Sequence, residues 1–489
     1  MRITTMKDFI SEIRKIKTDN LIYAFSEISI DMFKNNEFAK DIELLITRYG
    51  KHKKMITKLS AWDIQNIVFL SVKNSNDYRQ ADKICSLERL VHLYRQYENE
   101  HSYLTSVKTT TDYNVFHLIL GMTAEQFQFQ RLGWIFERFN RDYYILLGAT
   151  NFEHRHEIDT NKIVKEIFGY SANDYIVILL TVFWLCTKNP APLTAPENLY
   201  CRKADTVIKR KNLIKFIEYY SCTYKELRSN SLGKQLLYSK PFIKTQKEKA
   251  YLSTSTFLVA MLVGNGLYWL IRNYYLEKGT QQFTNAFGLL FEDYIKDLAK
   301  RYCTTAEWSV LPSGSRKGAD FVFDFGILQF IVESKSTLLR LDVKQQIPNL
   351  ESANYFFEHT IKEAYEQLNS SYEQLRNEVT VPIIKIILLY DEFSNTAIIE
   401  LASKDIFEKD NQCYVMTIRE LEMLLYIHCN DKIKEQLILE KIVESIDSEK
   451  SQKNIGLFFD ELSLQENPHL DGDMDYFLKL MQYFKINIE

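Results

Sequence analysis

Between Gly318 and Ser336 the chain reads GADFVFDFGILQFIVESKS, two apolar runs about a single glycine. No other stretch constrains the fold as tightly. Phenylalanines at every second position before Gly326 are the pattern of a strand, and a glycine between two such runs is the pattern of a β-hairpin turning over Phe325 to Leu328. Alternation puts Asp320, Val322 and Asp324 on one face of the first strand, and Ile331, Glu333 and Lys335 on one face of the second. A turn near Gly326 sets Asp320 across from Glu333 or its neighbour, a relation that a one-residue slip would break. Two carboxylates and an ammonium are thereby expected to converge beside a sheet.

The surroundings of this ribbon predict an α+β chain. With 489 residues, nearly half of them apolar, the chain can bury a large core and divide into two to four domains. From the start to about Lys240, apolar residues recur at helical spacing, as in FAKDIELLITRYG and NKIVKEIFGY, and Gly and Pro are scarce. The expectation is an all-helical recognition or regulatory region over 1–245, interrupted by the turn-rich KNPAPLTAPENLYCRK (188–203). Over 246–430 the character changes. The helix NAFGLLFEDYIKDLAKRY precedes the strand-like EWSVL, ADFVFDF and ILQFIVES, followed by the helix HTIKEAYEQLNSSYEQL and the strand VPIIKIILLY. TAIIEL and CYVMT are further strand candidates, and IRELEMLLYIHC resumes helix. The order α-β-β-β-α-β implies a mixed sheet flanked by helices. A helical C-terminal tail is expected over 431–489.

Several classes are set aside on composition. The apolar runs Tyr175 to Cys186 and Phe257 to Ile271 are shorter than the roughly 20 residues of a membrane span and read as buried helices. The N-terminus lacks the pattern of a secretory signal. Seven scattered cysteines with no C-x-x-C spacing fit reduced thiols in a cytoplasm and offer no structural zinc site. A net charge of -3 gives no global attraction to nucleic acid, so any such binding must come from local patches.

The chemistry is carried by the ribbon. A buried carboxylate pair is costly unless compensated, and hard oxygen ligands suit Mg²⁺. Beside such a metal, Lys335 would orient the attacking water or stabilise charge developing on a phosphate, the outline of a phosphodiester hydrolysis site. Asp324 lies nearer the turn and is expected to serve it. On its own, Glu-x-Lys is a common triplet in a chain rich in both residues.

Asp320 followed thirteen residues later by VESK at the end of an apolar strand resembles the PD-(D/E)XK nuclease superfamily, over about residues 283–417. Gly-Ala-Asp stands where the name has Pro-Asp. The resemblance implies a restriction-endonuclease-like core, with Asp320, Glu333 and Lys335 catalytic and Mg²⁺ or Mn²⁺ bound by Asp320 and Glu333. It also implies a supporting metal ligand at Glu292, in FGLLFEDYIKDL on the first core helix. On the second, Gln367 is the candidate contact to phosphate or metal, while Lys362 is expected to be solvated. Arg316 and Lys317, on the approach SGSRK, would bind phosphates beside the scissile bond. The basic clusters RYGKHKK, IKRKNLIK and KTQKEK read first as solvated faces.

The expected activity is metal-dependent hydrolysis of nucleic acid, DNA first, by an endonuclease serving antiphage or restriction-like defence; this last step is analogy. The expected partners are nucleic acid and, through the helical region, a second copy or another protein. The alternative is a module that binds nucleic acid or protein on the same fold without catalysis. A further one rests on Arg95 and His101 in RQYENEH, which loosely resemble the Arg/His motif of HEPN ribonucleases, enzymes that need no metal. HRHEID (154–159) lacks the zinc-protease spacing and reads as loop or helix cap, and DGDMD (471–475) lacks the Gly and Glu of a calcium loop.

Overall fold

The computed structural model describes residues 6–48, 51–74, 86–100, 126, 129, 132–191, 208–245, 250–312, 318–343, 349–390, 406–407, 409–448, 453–472, 474–480 and 482. It is a mixed α+β structure with sheets of two, five and three strands.

The N-terminal part opens with α1 (Met6–Ile13) and α2 (Thr18–Lys34). A ribbon follows, β1 (Ala39–Arg48) and β2 (Lys51–Ser60), antiparallel in the register Ala39↔Ser60 to Arg48↔Lys51. The segment FAKDIELLITRYG is therefore strand over most of its length, which corrects the expectation of an all-helical region. Ile42 and Leu44 alternate with Asp41, Glu43 and Leu45, and the latter three are exposed on one face of the ribbon. After the ribbon come α3 (Ala61–Asn74), α4 (Leu87–Glu100), α5 (Leu132–Tyr143), α6 (Thr160–Phe168), α7 (Ala172–Cys186) and α8 (Arg210–Tyr219). A second departure from all-helix is the small sheet β3 (Ser221–Thr223), β4 (Phe242–Lys244) and β5 (Tyr251–Ser253), with the short helices α9 (Tyr224–Ser229) and α10 (Leu236–Ser239) between β3 and β4. These strands are three residues long, too short to show a two-residue period.

The two long apolar runs are interior helices. Most of α7 is buried, and its start is fixed by a capping box in which Ser171 and Asp174 bond each other's backbone N–H groups. α11 (Thr256–Glu277) packs against α2, α5 and α7 and so sits within the N-terminal helices. Gly264 allows the approach to α5: a Cβ there would lie 2.8 Å from the Ile135 carbonyl oxygen. Among the described residues no single helix is long and apolar enough to cross a membrane.

The C-terminal half contains α12 (Gln282–Tyr302), β6 (Trp308–Val310), β7 (Phe321–Asp324) and β8 (Gln329–Lys335). Next come α13 (Leu350–Phe356), a π-helical stretch (Phe357–Lys362) and α14 (Glu363–Leu375), then β9 (Ile383–Leu389) and β10 (Cys413–Thr417). The strand order is β10-β9-β8-β7-β6; β6 to β8 run antiparallel, while β8, β9 and β10 are parallel. β9, next to the middle of the sheet, is buried at every position; its apolar run is broken once, by Lys385, whose amine pairs with Asp410 and donates to the Asn369 amide oxygen at 2.7 Å. One sheet face, with Phe321, Phe323, Phe330, Val332 and Ile386, joins the large core around α12. The other, with Ile331, Ile383, Ile387 and Leu389, forms a smaller core with Ile361, Ala364 and Leu368. The candidate TAIIEL lies outside the described residues. α15 (Ile418–Asn430), α16 (Lys432–Ile446), α17 (Gly456–Glu461) and α18 (Pro468–Asp471) follow, with residues 476–480 helical after them.

Candidate active site

The hairpin turns where its sequence says it should. The last paired residues are Asp324 and Gln329, the Phe325 N–H donates to the Leu328 carbonyl, and Gly326 takes a left-handed φ of 79°. Asp324 serves the turn: its Oδ1 accepts the Gly326 N–H at 2.8 Å, and its Oδ2 accepts from the Gln329 amide at 3.0 Å. At the other end, the register Phe321↔Val332 puts Asp320 beside Glu333, with the Asp320 N–H donating to the Val332 carbonyl. Strand parity carries Glu333 and Lys335 to the face occupied by Ile331, toward α14.

There the polar groups hold one another in two sets, Asp320 with Ser334, and Lys335 with Glu333 and Gln367. The Asp320 Oδ2 accepts from the Ser334 N–H at 2.8 Å and from its hydroxyl at 2.7 Å. Lys335 Nζ donates to Glu333 Oε1 at 2.7 Å and to Gln367 Oε1, on α14, at 2.8 Å. Glu333 is 4% exposed, and its second oxygen, Oε2, is buried without a hydrogen bond. A buried carboxylate oxygen left unpaired costs on the order of 1–3 kcal/mol or more, so the arrangement calls for a counter-charge.

The electrostatics agree. Burial, reinforced by the charges of Asp320 and Glu292, pushes the Glu333 carboxyl up to about 7. Burial and Asp320 push Glu292, half-buried on α12, up to about 6. Asp320 is also raised by burial, against the pull of its Ser334 hydrogen bonds and of Lys335 and Lys296. Three carboxylates thus lie within electrostatic reach of one another, each resisting ionisation, which is the condition a divalent cation relieves. The donor set fits Mg²⁺ or Mn²⁺: hard oxygens, with Glu333 Oε2 unpaired. The ligand atoms of Glu292, Asp320 and Glu333 do not all close to within 4.8 Å of one another.

A group of that tightness lies next to them. Ligand atoms of Glu153, His154 and Asp293 come within 4.8 Å of one another. Asp293 accepts the His154 N–H at 2.8 Å, and Lys296 stands 3.4 Å from Asp293 and 3.9 Å from Glu153. The Lys296 ammonium supplies positive charge to both carboxylates. HRHEID is loop around a three-residue helical turn, and its Asp159 caps α6 by accepting the Lys162 N–H at 2.9 Å, as expected; the approach of Asp293 and Lys296 from α12 has no signal in local spacing.

Other expected residues are placed as follows. Lys362 is exposed and pairs with Glu358 at 2.7 Å. Arg316 and Lys317 lie outside the described residues, as does His101. Arg95 is committed to structure: it pairs with buried Asp63 at 2.5 Å and donates to the Lys58 carbonyl at 2.6 Å. Asp475 of DGDMD accepts from Asn140 at 3.2 Å and from the Leu478 N–H at 2.7 Å. Comparison with protein-family models, with curated proteins and with solved structures finds no match to this chain.

Proposed function

We propose that the protein is a metal-dependent nuclease hydrolysing phosphodiester bonds, DNA first, with its site on a restriction-endonuclease-like core. The observation that carries this reading is the cross-strand meeting of Asp320 with Glu333 and Lys335, in which one buried carboxylate oxygen of Glu333 has no partner. Asp320 and Glu333 would hold Mg²⁺ or Mn²⁺, with Glu292 supporting from α12. The cation, when bound, supplies an acidified water and neutralises charge on the phosphate.

The side chains do the rest. Gln367 fixes the Lys335 amine at the rim of the carboxylate pair, so that its charge is ready for a phosphate oxygen without reorganisation. Ser334 holds Asp320 through two hydrogen bonds to one oxygen, Oδ2. Arg316 and Lys317 stand four and three residues before Asp320 in sequence and are assigned to flanking phosphates.

The test is cleavage of single- and double-stranded DNA and RNA panels by the full chain with Mg²⁺, Mn²⁺ or EDTA. Cleavage of DNA with either metal is expected, none in EDTA, and a loss of about 10²–10³-fold in Lys335→Ala with circular dichroism unchanged. Equal activity in Lys335→Ala ends the role assigned to that amine. Binding of nucleic acid with no cleavage under any metal favours the non-catalytic module. Cleavage that persists in EDTA and disappears in Arg95→Ala favours the ribonuclease reading.

A further inference from the structure

Between α11 and the segment that leaves β8 lies a cavity of about 620 Å³. Small-molecule sites occupy roughly 300–1,000 Å³ and combine apolar walls with a few convergent polar groups. This cavity has that composition, and its polar groups come mainly from one helix face. Asn265, Trp269, Arg272 and Asn273 follow at helical spacing on α11 and line the cavity together. The first two turns of this helix are buried in apolar contacts throughout, so a polar stripe farther along needs its own explanation.

Apart from ring contacts of Trp269, with Tyr268 edge-on at 5.5 Å and with Arg272, the stripe is not used internally. The Arg272 guanidinium lies 5.1 Å from the Trp269 ring centroid. Among the described residues neither Arg272 nor the side-chain amides of Asn265 and Asn273 make a hydrogen bond or ion pair. Lys240 and Arg340 add positive charge to the same wall. Two of the acids that line it are already engaged: Glu218 accepts from the Tyr251 hydroxyl at 2.8 Å, and Asp342 pairs with Arg340 at 3.3 Å and accepts from Ser352 at 2.8 Å. Glu277, at the exposed end of α11, lines the cavity one turn beyond Asn273. The centre of the wall therefore offers an aromatic ring, two half-buried side-chain amides and a half-buried guanidinium, none of these polar groups hydrogen-bonded to the described residues.

We propose that this cavity binds a nucleotide, with its base against Trp269, its polar edge met by the Asn265 and Asn273 amides, and its phosphate held by Arg272 with Lys240. An aromatic face suits a base, side-chain amides pair with base edges, and arginine is the preferred partner of phosphate. The site lies mainly on the N-terminal helices, with Arg340, Leu341 and Asp342 added from the segment after β8, and its test does not depend on the nuclease reading, since binding is read without cleavage.

The experiment is titration of the full chain, by calorimetry and tryptophan fluorescence, with AMP, GMP, adenosine and inorganic phosphate. AMP or GMP is expected to bind with a Kd below about 1 mM, and adenosine and phosphate at least about tenfold more weakly. Arg272→Ala removes the phosphate partner, and Asn273→Asp places a like charge beside it at constant size; each is expected to weaken nucleotide binding by about tenfold or more. Circular dichroism should be unchanged, and if Arg272→Ala does not fold, Asn273→Asp decides. The proposal is overturned if neither nucleotide binds, if adenosine or phosphate alone binds as tightly, or if the folded variants bind like the wild type.

Discussion

Glu333 has one oxygen on Lys335 and the other buried without a partner, and its neighbours Asp320 and Glu292 add negative charge. Its carboxyl is raised from 4.5 to about 7 in the folded chain. A raised carboxyl keeps its proton in the folded state after the unfolded state has lost it, so the metal-free protein loses stability as pH rises from about 4.5 to about 7. Glu333→Gln removes this slope. In EDTA at pH 8 the variant should be more stable than wild type by about 1–3 kcal/mol, with no gain at pH 4, in urea titrations. Mn²⁺ should raise the Tm of wild type at pH 8 and leave Glu333→Gln unmoved. A variant less stable than wild type at both pH values, with the same slope, would mean that Glu333 bears no strain of charge.

At the scale of elements, the hairpin was legible and the ribbon was not, for a reason visible in their residues. The β7–β8 hairpin has strict alternation in DFVFDF, a glycine at the turn and an aspartate before it that closes on the glycine N–H. In IELLI, positions 42 to 46, apolar residues fall at i, i+2, i+3 and i+4, which satisfies a helical stripe as well as a strand face. Pairing with β2 decides for strand, and pairing is not written in either segment alone. The turn carries its own prediction. Gly326 has φ 79°, where a Cβ meets its own carbonyl but nothing else within 4 Å. Gly326→Ala should therefore cost about 1–2 kcal/mol in chemical denaturation, and Gly326→Asn less, because asparagine tolerates the left-handed region. Equal stability of all three would place the turn in another conformation.

Across the whole molecule, a buried polar network ties the N-terminal helices to the C-terminal half. Arg141 on α5 bonds both oxygens of Glu422 on α15, which also accepts from Tyr294 on α12 at 2.6 Å and from Asn467 at 2.7 Å. Tyr302 meets His469 on α18 at 2.7 Å, and Arg419 pairs with Glu137 at 2.7 Å. Arg141 and Glu422 are fully buried, so removing one partner leaves the other charge stranded: Glu422→Gln should cost about 3–5 kcal/mol, and Arg141→Met with Glu422→Leu should recover much of it. An unaltered denaturation midpoint in the single variant would deny the network that role. The chain by itself determined what depends on neighbours in sequence: the interior helices, the order α-β-β-β-α-β and the hairpin that brings Asp320 to Glu333 and Lys335. Only the tertiary structure decided what depends on partners far along the chain. The β1–β2 pairing, the return of α11 to the N-terminal helices, the approach of Gln367 to Lys335 and the cavity wall around Arg272 all arise from packing between elements, where residue spacing within one element carries no information.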